Sequence, residues 1–125
     1  MIRVLIVDDQ QLLRRGLKLL LAQSPEIQVV TTCASAAETL VSLHNSEVDV
    51  VLADAVMPGM DGPELVEQCH TLWPSLPVII LTTFDDATIV RRSIKAGAAG
   101  FLLKDVSPTT LAEAITAASD GHPYV

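Results

Sequence analysis

The chain is predicted to fold as a doubly wound α/β domain: a five-stranded parallel sheet with helices on both faces. Three observations predict it. Short apolar, β-branched runs recur along the chain, each is followed by a segment with helical spacing, and strands and helices alternate without exception. Strands buried on both faces read as continuous apolar runs, and parallel strands need a crossover of about this length, roughly 20 residues per unit.

In order, Ile2 to Val7 is apolar apart from Arg3 and stops at Asp8-Asp9, and Gln10 to Gln23 carries Leu13, Leu17 and Leu20 or Leu21 at helical spacing before Ser24-Pro25. Ile27 to Thr32 is strand-like. Ser35 and Glu38 form a capping box for a helix whose expected inner stripe is Ala37, Leu40, Val41 and His44. Val48 to Ala53 is the third strand and delivers Asp54 to a turn made by Pro58, Gly59 and Gly62. Asp61 or Gly62 then caps a helix with Pro63 at its first position and Leu65, Cys69 and Leu72 inside.

Pro77 to Leu81 is the fourth strand and ends at Thr82-Thr83. Asp85-Asp86 opens a helix with Ile89, Val90 and Ile94 inside, closed by Gly97. Ala98 to Leu103 is the fifth strand, ending at Lys104. Ser107-Pro108 caps the last helix, whose inner residues are Leu111, Ala114, Ile115 and Ala118, and Gly121-His122-Pro123 stops it. Apolar residues on the last two helices suit a dimer face or the core equally well.

Composition sets bounds. With 125 residues, half of them hydrophobic, the chain suits one domain with one core. No apolar run reaches the ~18 residues of a membrane span and the start reads as a strand, so a cytosolic, soluble domain is expected. A formal charge of −7 argues against gripping a phosphate backbone directly. The cations cluster at Arg14-Arg15-Lys18 and Arg91-Arg92-Lys95, each read as a solvated helix face. Cys33 and Cys69 read as two buried free thiols rather than a disulfide or zinc site.

Function is carried by the strand ends. In an open parallel sheet, ligands bind beyond the carboxyl ends of the strands where the strand order reverses. The first, third, fourth and fifth strands end at Asp8-Asp9, Asp54, Thr82-Thr83 and Lys104. Singly, these are a cap, a turn residue, a strand end and a solvated cation. Gathered at one edge, the three carboxylates repel: at an effective dielectric of 20 and ~5 Å, each pair costs about 3 kcal/mol. A divalent cation relieves this, and Mg²⁺ suits an all-oxygen donor set that leaves positions for phosphate oxygens. Asp54 is then placed to attack a phosphoryl donor in line, with Lys104 pairing an equatorial oxygen and Thr82 gaining a new acceptor.

These segments resemble the receiver domain of bacterial two-component response regulators: Val4-Leu5-Ile6-Val7-Asp8-Asp9, Asp54 through Met57-Pro58-Gly59-Met60-Asp61-Gly62, Ile80-Leu81-Thr82, and Gly100-Phe101-Leu102-Leu103-Lys104. The resemblance covers essentially the whole chain. It implies a flavodoxin-like strand order 2-1-3-4-5 and Asp54 as acceptor of a phosphoryl group from a histidine kinase. It also implies Mg²⁺ held by Asp9 directly, by Asp8 mainly through water, by Asp54 and by the Val56 carbonyl. Thr82 and Phe101 become switch residues and Lys104 the phosphate-pairing cation. The domain would catalyse only its own phosphorylation and dephosphorylation, and would dimerise on phosphorylation.

Leu103-Lys104-Asp105 with Ser107-Pro108 looks most like the NarL/LuxR-type subfamily, whose receivers precede a helix-turn-helix DNA-binding domain. The chain is therefore expected to be the receiver part, residues 1–125, of a longer transcription regulator. It departs from the family pattern at three places. Asp105 stands where many receivers have proline, and a trans Lys104-Asp105 bond is expected. Val56 offers no polar side chain, and Thr83 with Phe84 is bulky; together these are expected to crowd the attacking water and lengthen the phosphate's lifetime.

Other readings fit less well. A haloacid-dehalogenase-type phosphatase needs a second Asp where Val56 stands, and an FMN module needs amides and hydroxyls where Asp8-Asp9-Gln10-Gln11 is acidic. A pseudo-receiver that works without phosphorylation remains the alternative, although such modules usually lose an acid or the lysine that this chain keeps.

Overall fold

The computed structural model describes residues 1–83 and 86–121. Five parallel strands, β1 (Ile2–Val7), β2 (Ile27–Cys33), β3 (Val50–Asp54), β4 (Val78–Thr82) and β5 (Gly100–Leu103), form one sheet in the order β2-β1-β3-β4-β5. They alternate with α1 (Gln11–Leu21), α2 (Ala36–Asn45), α3 (Gly62–Leu72), α4 (Ala87–Ala96) and α5 (Pro108–Ser119). The expected order 2-1-3-4-5 is observed, and strand and helix ends fall within a few residues of their expected positions.

The period of two along each strand divides the interior in two, where the sequence suggested a single core. Leu5, Val7, Val51, Ala53 and Ile80 face one side, packed with Ala36 and Leu43 of α2 and Leu65, Val66 and Cys69 of α3, with Ile89 of α4 against them. Val4, Ile6, Val50, Leu52, Ile79 and Leu81 face the other, packed with Leu21 of α1 and with Leu111, Ala114, Ile115 and Ala118 of α5. These α5 residues are thus committed to the core. Cys33 and Cys69 are both buried free thiols, and burial pushes the Cys69 thiol up to about 11.

The helix caps follow the sequence. Ser35 accepts from the Glu38 amide, but the Glu38 carboxylate reaches the Ala34 amide instead of closing the box on Ser35. Asp61 caps α3 in a full capping box with Glu64, and Ser107 caps α5. Asp86 caps α4; its expected companion Asp85 lies outside the described residues, as do Phe84, His122 and Pro123. Gly97 ends α4 at φ 102°, a left-handed conformation that glycine adopts without a Cβ penalty.

Three inner faces are corrected. In α2 the buried residues are Ala36, Thr39 and Leu43, with Leu40 half-buried, while Ala37, Val41 and His44 face solvent. A polar residue took the inner position because the Thr39 hydroxyl donates to the Ser35 carbonyl at 2.9 Å and needs no other partner. Leu72 of α3 and Ile94 of α4 are also exposed, at 47% and 59%, and the buried position of α4 is Ser93, whose hydroxyl donates to the Ile89 carbonyl. Periodicity in apolar residues cannot register a buried Thr or Ser that satisfies itself within the helix.

No helix among the described residues is long and apolar enough to cross a membrane.

Candidate functional site

β1 pairs with both β2 and β3, so the chain reverses direction across the sheet between β1 and β3. Ligands of such sheets bind at that reversal, beyond the carboxyl ends. There the backbone of β1 delivers Asp8 and Asp9, and β3 delivers Asp54. Carboxylate oxygens of the three lie within 4.8 Å of one another. β2 is the edge strand outside β1, which explains why its end at Thr32-Cys33 contributes no group to the cluster.

Lys104, just past β5, completes the set. Its amide donates to the Thr82 carbonyl at 2.7 Å, which extends the β4–β5 ladder and fixes where its side chain starts. Its Nζ lies 3.2 Å from Asp8 Oδ2 and 3.2 Å from Asp54 Oδ1. One half-buried cation therefore bridges two acids, and the cluster keeps a net negative charge. Burial raises the Asp54 carboxyl above its ordinary range and the Asp8 charge adds to this, while Lys104 and the Val56 amide act in the opposite direction. The Lys104–Asp105 peptide is trans, as expected.

Asp8 is buried at 1% exposure and is held at several points. Its amide donates to the Cys33 carbonyl, its Oδ1 accepts from the Gln10 amide at 2.9 Å, and its Oδ2 faces Lys104. Asp9 is exposed. Asp54 sits at a loop whose shape depends on two glycines: Gly59 has φ 78°, and a Cβ on Gly62 would stand 2.6 Å from the Asp54 carbonyl oxygen. The Gly62 amide donates to the Ala55 carbonyl across that close approach.

The remaining expected residues are placed as follows. Thr82 is buried at the end of β4, in register with Leu103. The Val56 side chain is 63% exposed beside the cluster. Phe101 is not part of the cluster; it is half-buried and packs against the core on the α2–α3–α4 face.

Two basic residues taken for solvated helix faces have specific partners. Arg14 donates through Nη1 to the Asp8 carbonyl at 2.5 Å, and Arg92 pairs with Asp61 at 2.9 Å. Asp61 is therefore both the α3 cap and an ion-pair partner of α4. The sequence placed Arg14 one turn into α1 but could not tell which of Arg14 and Arg15 turns toward β1.

Comparison with known proteins agrees with this arrangement. The family model described as "Response regulator receiver domain" matches residues 4–116. The chain belongs to that family. The transcriptional regulatory protein LnrK of Bacillus subtilis is 36% identical over 121 residues, covering 97% of this chain and 55% of LnrK. The receiver domain of the response regulator NarL from Mycobacterium tuberculosis superimposes with a TM-score of 0.88 at 32% identity, covering 97% of this chain and 98% of that one. A LuxR-family two-component response regulator from Aurantimonas sp. gives a TM-score of 0.92 at 27% identity, covering 98% of this receiver and 88% of its own chain. This receiver spans about half the length of the curated relatives it matches.

Proposed function

We propose that this receiver is a phosphorylation-operated switch in which Asp54 accepts a phosphoryl group from a histidine kinase. The observation that carries the reading is Lys104 held between Asp8 and Asp54 beside a third acid, Asp9. That arrangement offers an oxyanion nucleophile, a fixed cation and an oxygen-donor pocket at one strand edge.

Asp8, Asp9, Asp54 and the Val56 carbonyl would hold Mg²⁺, since oxygen-only donors with net negative charge fit a hard divalent cation. When bound, the metal neutralises charge on the phosphoryl oxygens. Asp54 attacks phosphorus through a carboxylate oxygen; the N–P bond of the phosphohistidine breaks and its electron pair returns to the imidazole. Lys104 pairs an equatorial oxygen, and the Thr82 hydroxyl turns to the new phosphate with Phe101 following. The domain acts only on itself. Its output would be a helix-turn-helix DNA-binding domain in a longer cytoplasmic transcription regulator, engaged through homodimerisation on phosphorylation; the names of LnrK and its kin, transcriptional regulatory proteins, support the regulatory part of this.

Incubation with a small phosphodonor and Mg²⁺ tests it. A mass gain of one phosphoryl group that disappears in Asp54→Asn supports the switch. No gain under any condition returns the chain to a phosphorylation-independent interaction module.

A further inference from the structure

We infer that Arg14 is a positioning residue that aims Asp9 at the metal. Among the described residues, no hydrogen bond or ion pair involves the Asp9 side chain, in contrast to Asp8 and Asp54. Nothing but its own rotamers and the backbone that carries it decides where the carboxylate reaches, and the backbone's share begins at the peptide that joins it to Asp8. That peptide is planar, so holding the Asp8 carbonyl sets the Asp8 ψ and the plane from which the Asp9 N–Cα bond departs. Arg14 holds that carbonyl at 2.5 Å.

The clamp is stiff at both ends. Arg14 is half-buried on the first turns of α1, its own amide donating to the Gln10 carbonyl at 3.1 Å, and the Asp8 amide is pinned to the Cys33 carbonyl at 3.1 Å. The guanidinium thus ties the start of α1 to the end of β1 at the residue pair that would ligate the metal. A carbonyl held by a charged donor makes a stronger contact than one left to water.

Charge and positioning predict opposite signs, which makes the inference decidable. Arg14 carries a positive charge beside a cation site, so if it acted only through its field, its removal would tighten Mg²⁺ binding. If it acts by aiming Asp9, removal weakens binding. The inference rests on the reading of Asp8, Asp9 and Asp54 as a Mg²⁺ site.

Calorimetric titration of Mg²⁺ into the wild-type chain, Arg14→Met, Arg14→Lys, Asp9→Asn and the Arg14→Met/Asp9→Asn double variant tests it, with thermal melts to fix a temperature at which each is folded. Arg14→Met keeps the apolar stem and is expected to weaken Mg²⁺ binding about tenfold, the lower end of the loss seen when a ligand's supporting contact is removed. Arg14→Lys should restore part of it. In the Asp9→Asn background the effect of Arg14→Met should shrink to under about twofold, because the two residues act as one unit. Unchanged or tighter binding in Arg14→Met overturns the inference, as does an equal loss in the Asp9→Asn background. A wild type that binds no Mg²⁺ overturns the metal-site reading itself and the inference with it.

Discussion

Gly62 passes so close to Asp54 that a Cβ on it would stand 2.6 Å from the Asp54 carbonyl oxygen and 2.9 Å from the Ala55 Cα. Both obstacles are backbone, so neither can rotate away. Gly62→Ala is expected to destabilise the domain by about 1–3 kcal/mol, the usual cost of overpacking. The same change shifts Asp54, so Mg²⁺ affinity should fall with the melting temperature. A variant with wild-type stability and affinity would show that the loop yields without displacing Asp54.

The raised Asp54 carboxyl makes a signed prediction about pH. The folded state holds the Asp54 proton more tightly than the unfolded chain, so stability falls as pH rises from the ordinary value of 3.8 through the folded value. At neutral pH the ionised Asp54 is a cost. Asp54→Asn is expected to raise Tm at pH 7 in the absence of Mg²⁺. The gain should shrink below pH 3.8, where both states are protonated. Melting curves across pH decide it; a constant or negative difference is the contrary result.

Asp49 should behave oppositely. It precedes β3 and accepts from the Arg3 amide at 2.7 Å and the Arg3 Nε at 3.1 Å, and Arg3 also pairs with Glu47. The Arg3 hydrogen bond holds the Asp49 carboxyl below its ordinary 3.8. Its stabilisation is present above that value and is lost as pH falls through the folded value. Asp49→Asn should lower Tm modestly at pH 7, since the pair is partly solvated and screened, and have no effect at the acid end. A loss that persists in acid would mean that packing, not charge, is at stake.

Lys104 neutralises part of the acid cluster and therefore competes with a divalent cation. Lys104→Met is expected to tighten Mg²⁺ binding severalfold while slowing phosphorylation of Asp54, because the phosphoryl oxygens lose a fixed cation. Titration and phosphodonor kinetics on the same variant separate the two effects. Loss of both would show that Lys104 shapes the site rather than charging it.

Val56 presents an exposed apolar side chain at the cluster's edge. Val56→Asn would supply a hydrogen-bonding group there for an attacking water, and the phosphorylated domain is expected to lose its phosphate faster. An unchanged dephosphorylation rate would remove Val56 from the timing of the switch.

The α/β class and the three-acid edge were legible because each rests on short-range signals, whereas the strand order was implied only by the resemblance to the receiver family. Apolar runs, caps such as Asp61 with Glu64, and acids placed directly after strands all survive in a linear reading. What escaped it was anything polar that turns inward by satisfying itself, such as Thr39 and Ser93, since their burial depends on a bond one helical turn away.

By itself, the sequence determined that Asp8, Asp9, Asp54, Thr82 and Lys104 would meet at one edge, because parallel strands joined by right-handed crossovers all end on the same side. Only the tertiary structure decided how they meet. It placed the Lys104 ammonium between Asp8 and Asp54, packed a half-buried Phe101 against the core on the α2–α3–α4 face, and turned Arg14 onto the Asp8 carbonyl. Those choices depend on the sideways order of strands and the rotation of each helix about its axis. Both are settled by packing against residues distant in the chain, which no local pattern encodes.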